Sequence, residues 1–233
     1  MQAPKYTIEF IGSYFLVLSL VLATVFGHGG DFGPIAVGLV LLAMSLSGSH
    51  LSGGHFNPVI TLAAFMQKKI SQTDAGWYAG LQLVAGAAGA FTAMAMNPRQ
   101  KDLVQAVNFN FDAQAIPVIL GEFAFTFALV WVFLVPLLTL ANNGRLWQGL
   151  IMSGIYAGGI MVVGGVLIAA LNPAATIGFV VSGKLQFSTA ILYIFIQILA
   201  AVTVALSIEH IFPPKDRAQG DTPGPQDVNQ DHL

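Results

Sequence analysis

The sequence predicts an all-α membrane protein with six transmembrane helices and two re-entrant half-helices, arranged as an inverted repeat. Charged residues make up only 9% of the 233 residues, whereas ordinary soluble domains contain about 25%. A surface so poor in charge is expected to face lipid. Six apolar stretches are long enough to cross a bilayer, and two shorter ones each begin with Asn-Pro. Together these observations define the predicted fold class.

The six long stretches set the positions of the transmembrane helices. A helix that crosses about 30 Å of hydrocarbon needs about 20 apolar residues. The first stretch lacks a small-residue cleavage signature, so we interpret it as a retained span rather than a signal peptide. The predicted spans are 6–27, 34–49, 75–96, 116–140, 147–167 and 187–211, and the half-length segments are 57–67 and 172–182.

The nine Lys and Arg residues predict the orientation. With a cytoplasmic N-terminus, six of them fall inside and three outside, in agreement with the positive-inside rule. We therefore expect a multi-pass protein of the plasma membrane with both termini in the cytoplasm. Residues 1–212 form one membrane domain, and the polar segment 213–233 is expected to be a disordered cytoplasmic tail.

The two halves of the membrane domain, about 6–96 and 116–211, resemble each other. Each half contains three spans, an odd number, so the second copy enters the membrane upside down. Inverted repeats with broken helices place a central site near the membrane midplane. The matching residues are Asn57-Pro58 with Asn172-Pro173 and Gln82 with Gln197, both 115 positions apart, and Glu9 with Glu122, 113 positions apart.

The two Asn-Pro pairs predict helix starts inside the membrane. Asn is a strong N-cap, and Pro is favoured at the first helical position. Half-helices beginning at Asn57 and Asn172 would point their positive dipole ends at the centre. Such a centre holds the oxygen of a neutral molecule and repels cations. Asn97-Pro98, by contrast, lies among charged residues and is interpreted as an ordinary loop.

The run Ser-His-Leu-Ser-Gly-Gly-His-Phe-Asn-Pro at 49–58 closely resembles the first signature loop of the aquaporin (major intrinsic protein) family. Asn172-Pro173-Ala174 resembles the second. The resemblance covers roughly residues 6–211. It implies a six-helix barrel with two half-helices, a pore in each subunit, a homotetramer, and the passage of water and small neutral solutes. Three residues depart from the family pattern: Val59 and Ala175 replace an Ala and an Arg, and Phe125 replaces a Gly.

Spacing from the Asn-Pro motifs carries the family's external constriction onto four residues of this chain. They are Val37, Ile160, Ala169 and Ala175, and Gly159 or Met161 would replace Ile160 if the loop differed by one residue. A water-selective member would have an aromatic residue, a His and an Arg in this set. Because the four residues are small, apolar and uncharged, we predict an unusually wide filter.

Several polar residues accompany the two motifs. Acidic residues inside a membrane are costly and indicate function, so Glu9 and Glu122 are either a proton relay or acceptors for the exposed backbone of the re-entrant loops. Their symmetry favours loop bracing, and Gln82 and Gln197 are expected to act similarly. His55 either lines the lumen or holds the first loop.

Other classes of function find little support in the sequence. The absence of cysteine excludes thiol chemistry, and the five scattered histidines predict no metal site. We expect no cofactor and no enzymatic activity, and a net charge of −2 argues against nucleic-acid binding. Two alternatives to a passive channel remain: a secondary transporter with a midplane site, and a non-conducting structural membrane protein. The solute stays open among water, glycerol, urea, ammonia, hydrogen peroxide and other small neutral metabolites.

Overall fold

The computed structural model describes residues 3–99, 104–106, 115–140, 144–164 and 168–213. Six helices in this part of the chain are long and apolar enough to cross a membrane, and two nine-residue helices follow the Asn-Pro pairs. The predicted fold class is therefore confirmed. The tail from 214 onward and most of the 97–115 loop lie outside the described residues. The helices are α1 Ala3–Thr24, α2 Gly33–Ser52, α3 Pro58–Met66, α4 Gln72–Met96, α5 Ala115–Thr139, α6 Gly144–Gly164, α7 Pro173–Val181 and α8 Phe187–Ile211.

Helix α2 extends further than the sequence predicts. We expected it to end near residue 49, but it continues to Ser52 and stops at Gly53, whose φ of 93° lies in the left-handed region. Glycine adopts this conformation without steric cost and commonly ends helices. The extra turn matters because it carries α2 directly into the loop before the first half-helix.

Each half-helix packs mainly against helices of the other repeat. The half-helix α7 lies against α4 and α1, and α3 lies against α8 and α5 as well as α4. The approach of α7 to α4 is close, since a Cβ at Gly86 would collide with the carbonyl of Ala174. The two copies are therefore interlocked, and the starts of α3 and α7 are brought together in the interior.

The outer surface of the helix bundle is apolar. Large side chains such as Phe91 and Phe195 are 61% and 62% exposed, a pattern that suits contact with lipid tails rather than water. Six apolar helices and an apolar surface make the chain an integral, multi-pass membrane protein.

Candidate functional site

The two capping asparagines meet at the centre of the bundle. Asn57 Oδ1 accepts a hydrogen bond from the Val59 N–H at 3.0 Å, and Asn172 Oδ1 accepts one from the Ala174 N–H at 2.8 Å. Each side chain thus caps its own half-helix. Pro58 and Pro173 occupy the first helical positions, where a missing N–H costs nothing.

Each asparagine also bonds to the loop of the opposite repeat. Asn57 Nδ2 donates to the Leu171 carbonyl at 3.0 Å, and Asn172 Nδ2 donates to the Phe56 carbonyl at 2.9 Å. These reciprocal bonds join chain segments more than a hundred residues apart. An amide nitrogen carries two N–H donors, and both asparagines line the same cavity. The second N–H of each amide is therefore available to a molecule in that cavity.

The residues that precede the two asparagines adopt an unfavourable backbone conformation. Phe56 and Leu171 have φ values of 48° and 53°, which cost non-glycine residues about 1–3 kcal/mol each. In this conformation the Phe56 carbonyl accepts from Asn172 and the Leu171 carbonyl accepts from Asn57. Contacts with surrounding residues must therefore stabilise the positive φ angle of both residues.

Glu9 holds the first loop. Its carboxylate accepts hydrogen bonds from the backbone N–H groups of His55 at 2.9 Å and Phe56 at 2.7 Å. It also accepts one from the Ser52 hydroxyl at 2.7 Å and one from Gln82 Nε2 at 2.8 Å. The side chain is fully buried, so these four donors replace the water that a carboxylate would otherwise bind.

Glu122 holds the second loop in the same way. Its carboxylate accepts hydrogen bonds from the backbone N–H groups of Ala170 at 2.6 Å and Leu171 at 3.0 Å, and from Gln197 Nε2 at 2.9 Å. It is likewise fully buried. Both glutamates therefore make the loop contacts that the bracing hypothesis requires, and in each case the acceptor atoms are occupied.

The two glutamines connect the glutamates to the half-helices. Gln82 Nε2 lies 3.1 Å from Thr61 Oγ1, and Gln197 Nε2 lies 3.1 Å from Thr176 Oγ1. Each threonine in turn donates to the carbonyl of the capping asparagine in its own half, Thr61 at 3.1 Å and Thr176 at 3.0 Å. A continuous polar network thus links each intramembrane acid to the start of a half-helix.

His55 lines the cavity and also ties the first loop to the half-helix α3 and to two long helices. Its Nδ1 lies 3.1 Å from Thr61 Oγ1, and its ring packs edge-on against Tyr78 and Phe133 at centroid distances of 5.4 and 5.2 Å. The two roles that the sequence left open for this histidine are therefore compatible.

The cavity contains residues that the sequence analysis missed. They come from four long helices and one half-helix: Leu16, Leu41, Leu129, Met152, Tyr156 and Ile60. The repeat contained a signal for two of them, because Leu41 and Tyr156 are 115 positions apart, like the two Asn-Pro motifs. Tyr156 donates its hydroxyl to the Ala170 carbonyl at 2.9 Å, so it also supports the second loop.

The four residues predicted for the outer constriction are all buried. Val37 and Ala175 are 0% exposed, Ala169 is 1% and Ile160 is 3% exposed. Of the alternatives to Ile160, Met161 is 49% exposed beside the exposed Val162, so it lies on the outer face of α6. Gly159 is buried against Phe125 and Leu171. The four residues are therefore packed among other side chains, and none of them is among the residues that line the central cavity.

The sequence matches the family described as Major intrinsic protein over residues 3–146 and 139–230. It is 33% identical over 184 residues to glycerol uptake facilitator protein-like 6 of Lactiplantibacillus plantarum, covering 75% of this chain and 82% of that protein. It is 28% identical over 159 residues to aquaporin TIP4-3 of Zea mays, covering 64% and 60%. It is 27% identical over 186 residues to probable aquaporin NIP4-2 of Arabidopsis thaliana, covering 75% and 62%. The matched parts thus span about three-fifths of the two plant relatives.

A solved structure has the same fold. The aquaglyceroporin from Plasmodium falciparum superposes with a TM-score of 0.70, covering 91% of this chain and 96% of that one at 18% sequence identity. At this identity the likeness concerns the fold alone. It accounts for the arrangement of six long helices and two short ones.

Proposed function

Because the chain belongs to the major intrinsic protein family, we propose that it is a passive channel for water and small uncharged solutes such as glycerol or urea. The observation that carries this proposal is the meeting of two half-helix N-termini at a cavity lined by Asn57 and Asn172. Their amide N–H groups and helix dipoles offer donors to a passing oxygen atom. Relatives named as aquaporins and as a glycerol uptake facilitator support the same class of function.

We further propose that the channel excludes ions. Each half-helix N-terminus contributes about half a positive charge, and both lie at the same depth. The two intramembrane carboxylates offer no free ligand to a passing cation, because their oxygen atoms accept hydrogen bonds from the loops and neither side chain is among the residues that line the cavity. The same occupancy disfavours the alternative of an ion-coupled transporter, which would need free oxygen ligands.

The outer constriction is proposed to be apolar, wide and without fixed charge. Val37, Ile160, Ala169 and Ala175 carry no hydrogen-bonding side chain, so they cannot select water by donor geometry. Because these side chains are smaller than the aromatic residue, His and Arg of a water-selective member, solutes larger than water are expected to enter. A homotetramer in the plasma membrane with both termini in the cytoplasm is part of the same proposal.

Stopped-flow light scattering on proteoliposomes tests the proposal. Vesicles with the protein should respond faster than empty vesicles to gradients of water, glycerol and urea, and an opposing gradient should not drive a labelled solute uphill. Planar bilayers under Na+ and K+ gradients should show no macroscopic current. Countertransport of a labelled solute would favour the transporter, and absence of any flux would favour a structural protein.

A further inference from the structure

The inverted repeat assigns an inner counterpart to every residue of the outer constriction. The offset of 115 that relates the two Asn-Pro motifs maps Val37, Ile160, Ala169 and Ala175 onto Met152, Ser45, Gly54 and Ile60. Because the second copy is inverted, these four residues, here called the inner ring, belong on the opposite side of the asparagine pair. Met152 and Ile60 line the cavity. The cavity therefore extends toward the inner ring.

Ser45 is the polar member of the inner ring. It lies four residues after the cavity-lining Leu41 on the same face of α2, one helical turn or about 6 Å away. It is 1% exposed, and its Oγ has no hydrogen-bond partner in the described part of the chain. Other helical hydroxyls donate to the preceding turn, as Ser153 does to the Gly149 carbonyl at 2.7 Å. Ser45 thus differs from a serine satisfied within its own helix.

Gln148 carries a second unpartnered buried oxygen, one helical turn from the inner-ring residue Met152. It lies four residues before Met152 and is 2% exposed. Its Nε2 donates to the Phe133 carbonyl at 3.2 Å, whereas its Oε1 has no partner among the described residues. A Cβ at the adjacent Gly149 would lie 2.9 Å from Ser45 Cβ. The helices α2 and α6 therefore pack closely at this level, and Ser45 and Gln148 each lie one helical turn from a cavity-lining residue, Leu41 and Met152.

This polarity distinguishes the inner half from the outer half. Ser13 and Thr126 also carry unpartnered buried oxygens, but they are repeat counterparts of each other and so occur once in each half. The counterparts of Ser45 and Gln148 are Ile160 and Gly33, which have no polar side chain. Leaving a buried acceptor unsatisfied costs about 1–3 kcal/mol. A hydrogen-bond donor that reached the two unpartnered oxygens of the inner half would remove this cost.

We propose that Ser45 Oγ and Gln148 Oε1 form a solute-binding station on the inner side of the asparagine pair. The station accepts hydrogen bonds from the O–H or N–H groups of a small polyol or amide, and it rests on the proposed channel function. The asparagine amides supply donors to an oxygen of the solute, and the station supplies acceptors to its hydrogen atoms. Selection among neutral solutes then occurs at the inner ring rather than at the apolar outer constriction.

The test measures solute flux through proteoliposomes as a function of solute concentration, with glycerol and urea as separate arms. Ser45→Ala should raise the half-saturating glycerol concentration about 3- to 10-fold, the factor expected for one net hydrogen bond. Water flux should change less than twofold. Ser153→Ala is the matched control, since it removes a buried hydroxyl that is satisfied within α6, and it should leave both fluxes at the parent values.

A second variant guards against a folding defect. Gln148→Met keeps the side-chain length, removes the acceptor together with the Nε2 donor to the Phe133 carbonyl, and should shift the same half-saturating concentration. If neither Ser45→Ala nor Gln148→Met shifts it in a parent that conducts glycerol or urea, the station is rejected and the channel stands. If the parent conducts neither solute, the proposed function fails and the station with it. Should Ser45→Ala not reconstitute, Ser45→Cys provides a similar shape with a much weaker hydrogen-bonding group.

Discussion

The two re-entrant loops differ more in what they present to the interior than in how they are held. Glu9 receives four hydrogen bonds and Glu122 receives three, in both cases including two consecutive backbone N–H groups. The first loop contains Gly53, Gly54 and the cavity-lining His55, whereas the second contains Ala169 and Ala170, which are buried. The hydrogen bonds that support the loops thus occur in both halves, whereas the side chains that the two loops present to the interior differ.

This comparison teaches that support and selectivity are separable in this fold. The support comes from residues that match across the repeat, and their role is to satisfy buried backbone groups that lipid cannot satisfy. A cavity-lining residue such as His55, whose counterpart is Ala170, need not match across the repeat, because the loop bonds to the two glutamates run through the backbone. Substitutions in the shared scaffold should therefore act alike in both halves, and substitutions in the lumen should not.

The largest effect is expected at the shared asparagines. Asn57→Asp and Asn172→Asp keep an oxygen that caps the half-helix but lose the N–H that donates to Leu171 or Phe56. They also place negative charge where the dipoles are positive. Each should abolish ion exclusion or solute flux, measured as bilayer current and light scattering. If either variant conducts solutes and excludes ions as the parent does, the two asparagines do not form the pore centre.

The second-largest effect is expected at the two glutamates, where the loss of stability should be greater in the first half than in the second. Glu9→Gln and Glu122→Gln turn an acceptor oxygen into an NH2 group that faces backbone donors, at a cost of about 1–3 kcal/mol for each bond lost. Glu9 has the additional bond from Ser52, so its variant should have the lower thermal unfolding temperature in detergent. Equal midpoints for the two variants would show that the fourth bond adds no stability.

A smaller effect, confined to the outer half, is expected from Ala175→Arg. The guanidinium adds five donors and a fixed charge to an apolar constriction. Glycerol and urea flux should fall much more than water flux, and any proton leak should fall as well. Ala175→Leu, which adds bulk without charge, is the control and should reduce flux without affecting the leak. An unchanged glycerol-to-water ratio in a folded arginine variant would place Ala175 away from the constriction.

The smallest effect is expected from Phe125→Ala. A Cβ built on Gly159 would lie 2.9 Å from the Phe125 ring and 2.7 Å from the Leu171 side chain, so the ring fills space near the outer constriction. Its removal should raise glycerol flux about two- to threefold, consistent with a gap of a few side-chain atoms. Phe123→Ala removes a ring that packs against Phe127 and serves as the control. Equal glycerol flux in both variants would mean that Phe125 does not limit entry.

Much of the fold followed from local chemistry in the sequence. A capping Asn followed by Pro starts a helix through groups within three residues of each other, so the half-helices at 58 and 173 could be placed without tertiary information. Long apolar stretches determined the spans because a bilayer core imposes their length. The end of α2 was misplaced by three residues because Gly53 stops the helix only where the chain must turn into the loop.

The sequence by itself therefore determined the six spans, the two half-helices, the repeat and the two asparagines near its centre. Only the tertiary structure decided which partners those residues have. Asn57 bonds to the Leu171 carbonyl across 114 positions, and Ser45, unlike Ser153, has no hydrogen-bond partner among the described residues. Neither hydrogen-bonding state can be predicted from neighbouring residues in the sequence. Hydrogen-bond partners within a helix bundle depend on how distant helices pack and how deeply each side chain is buried.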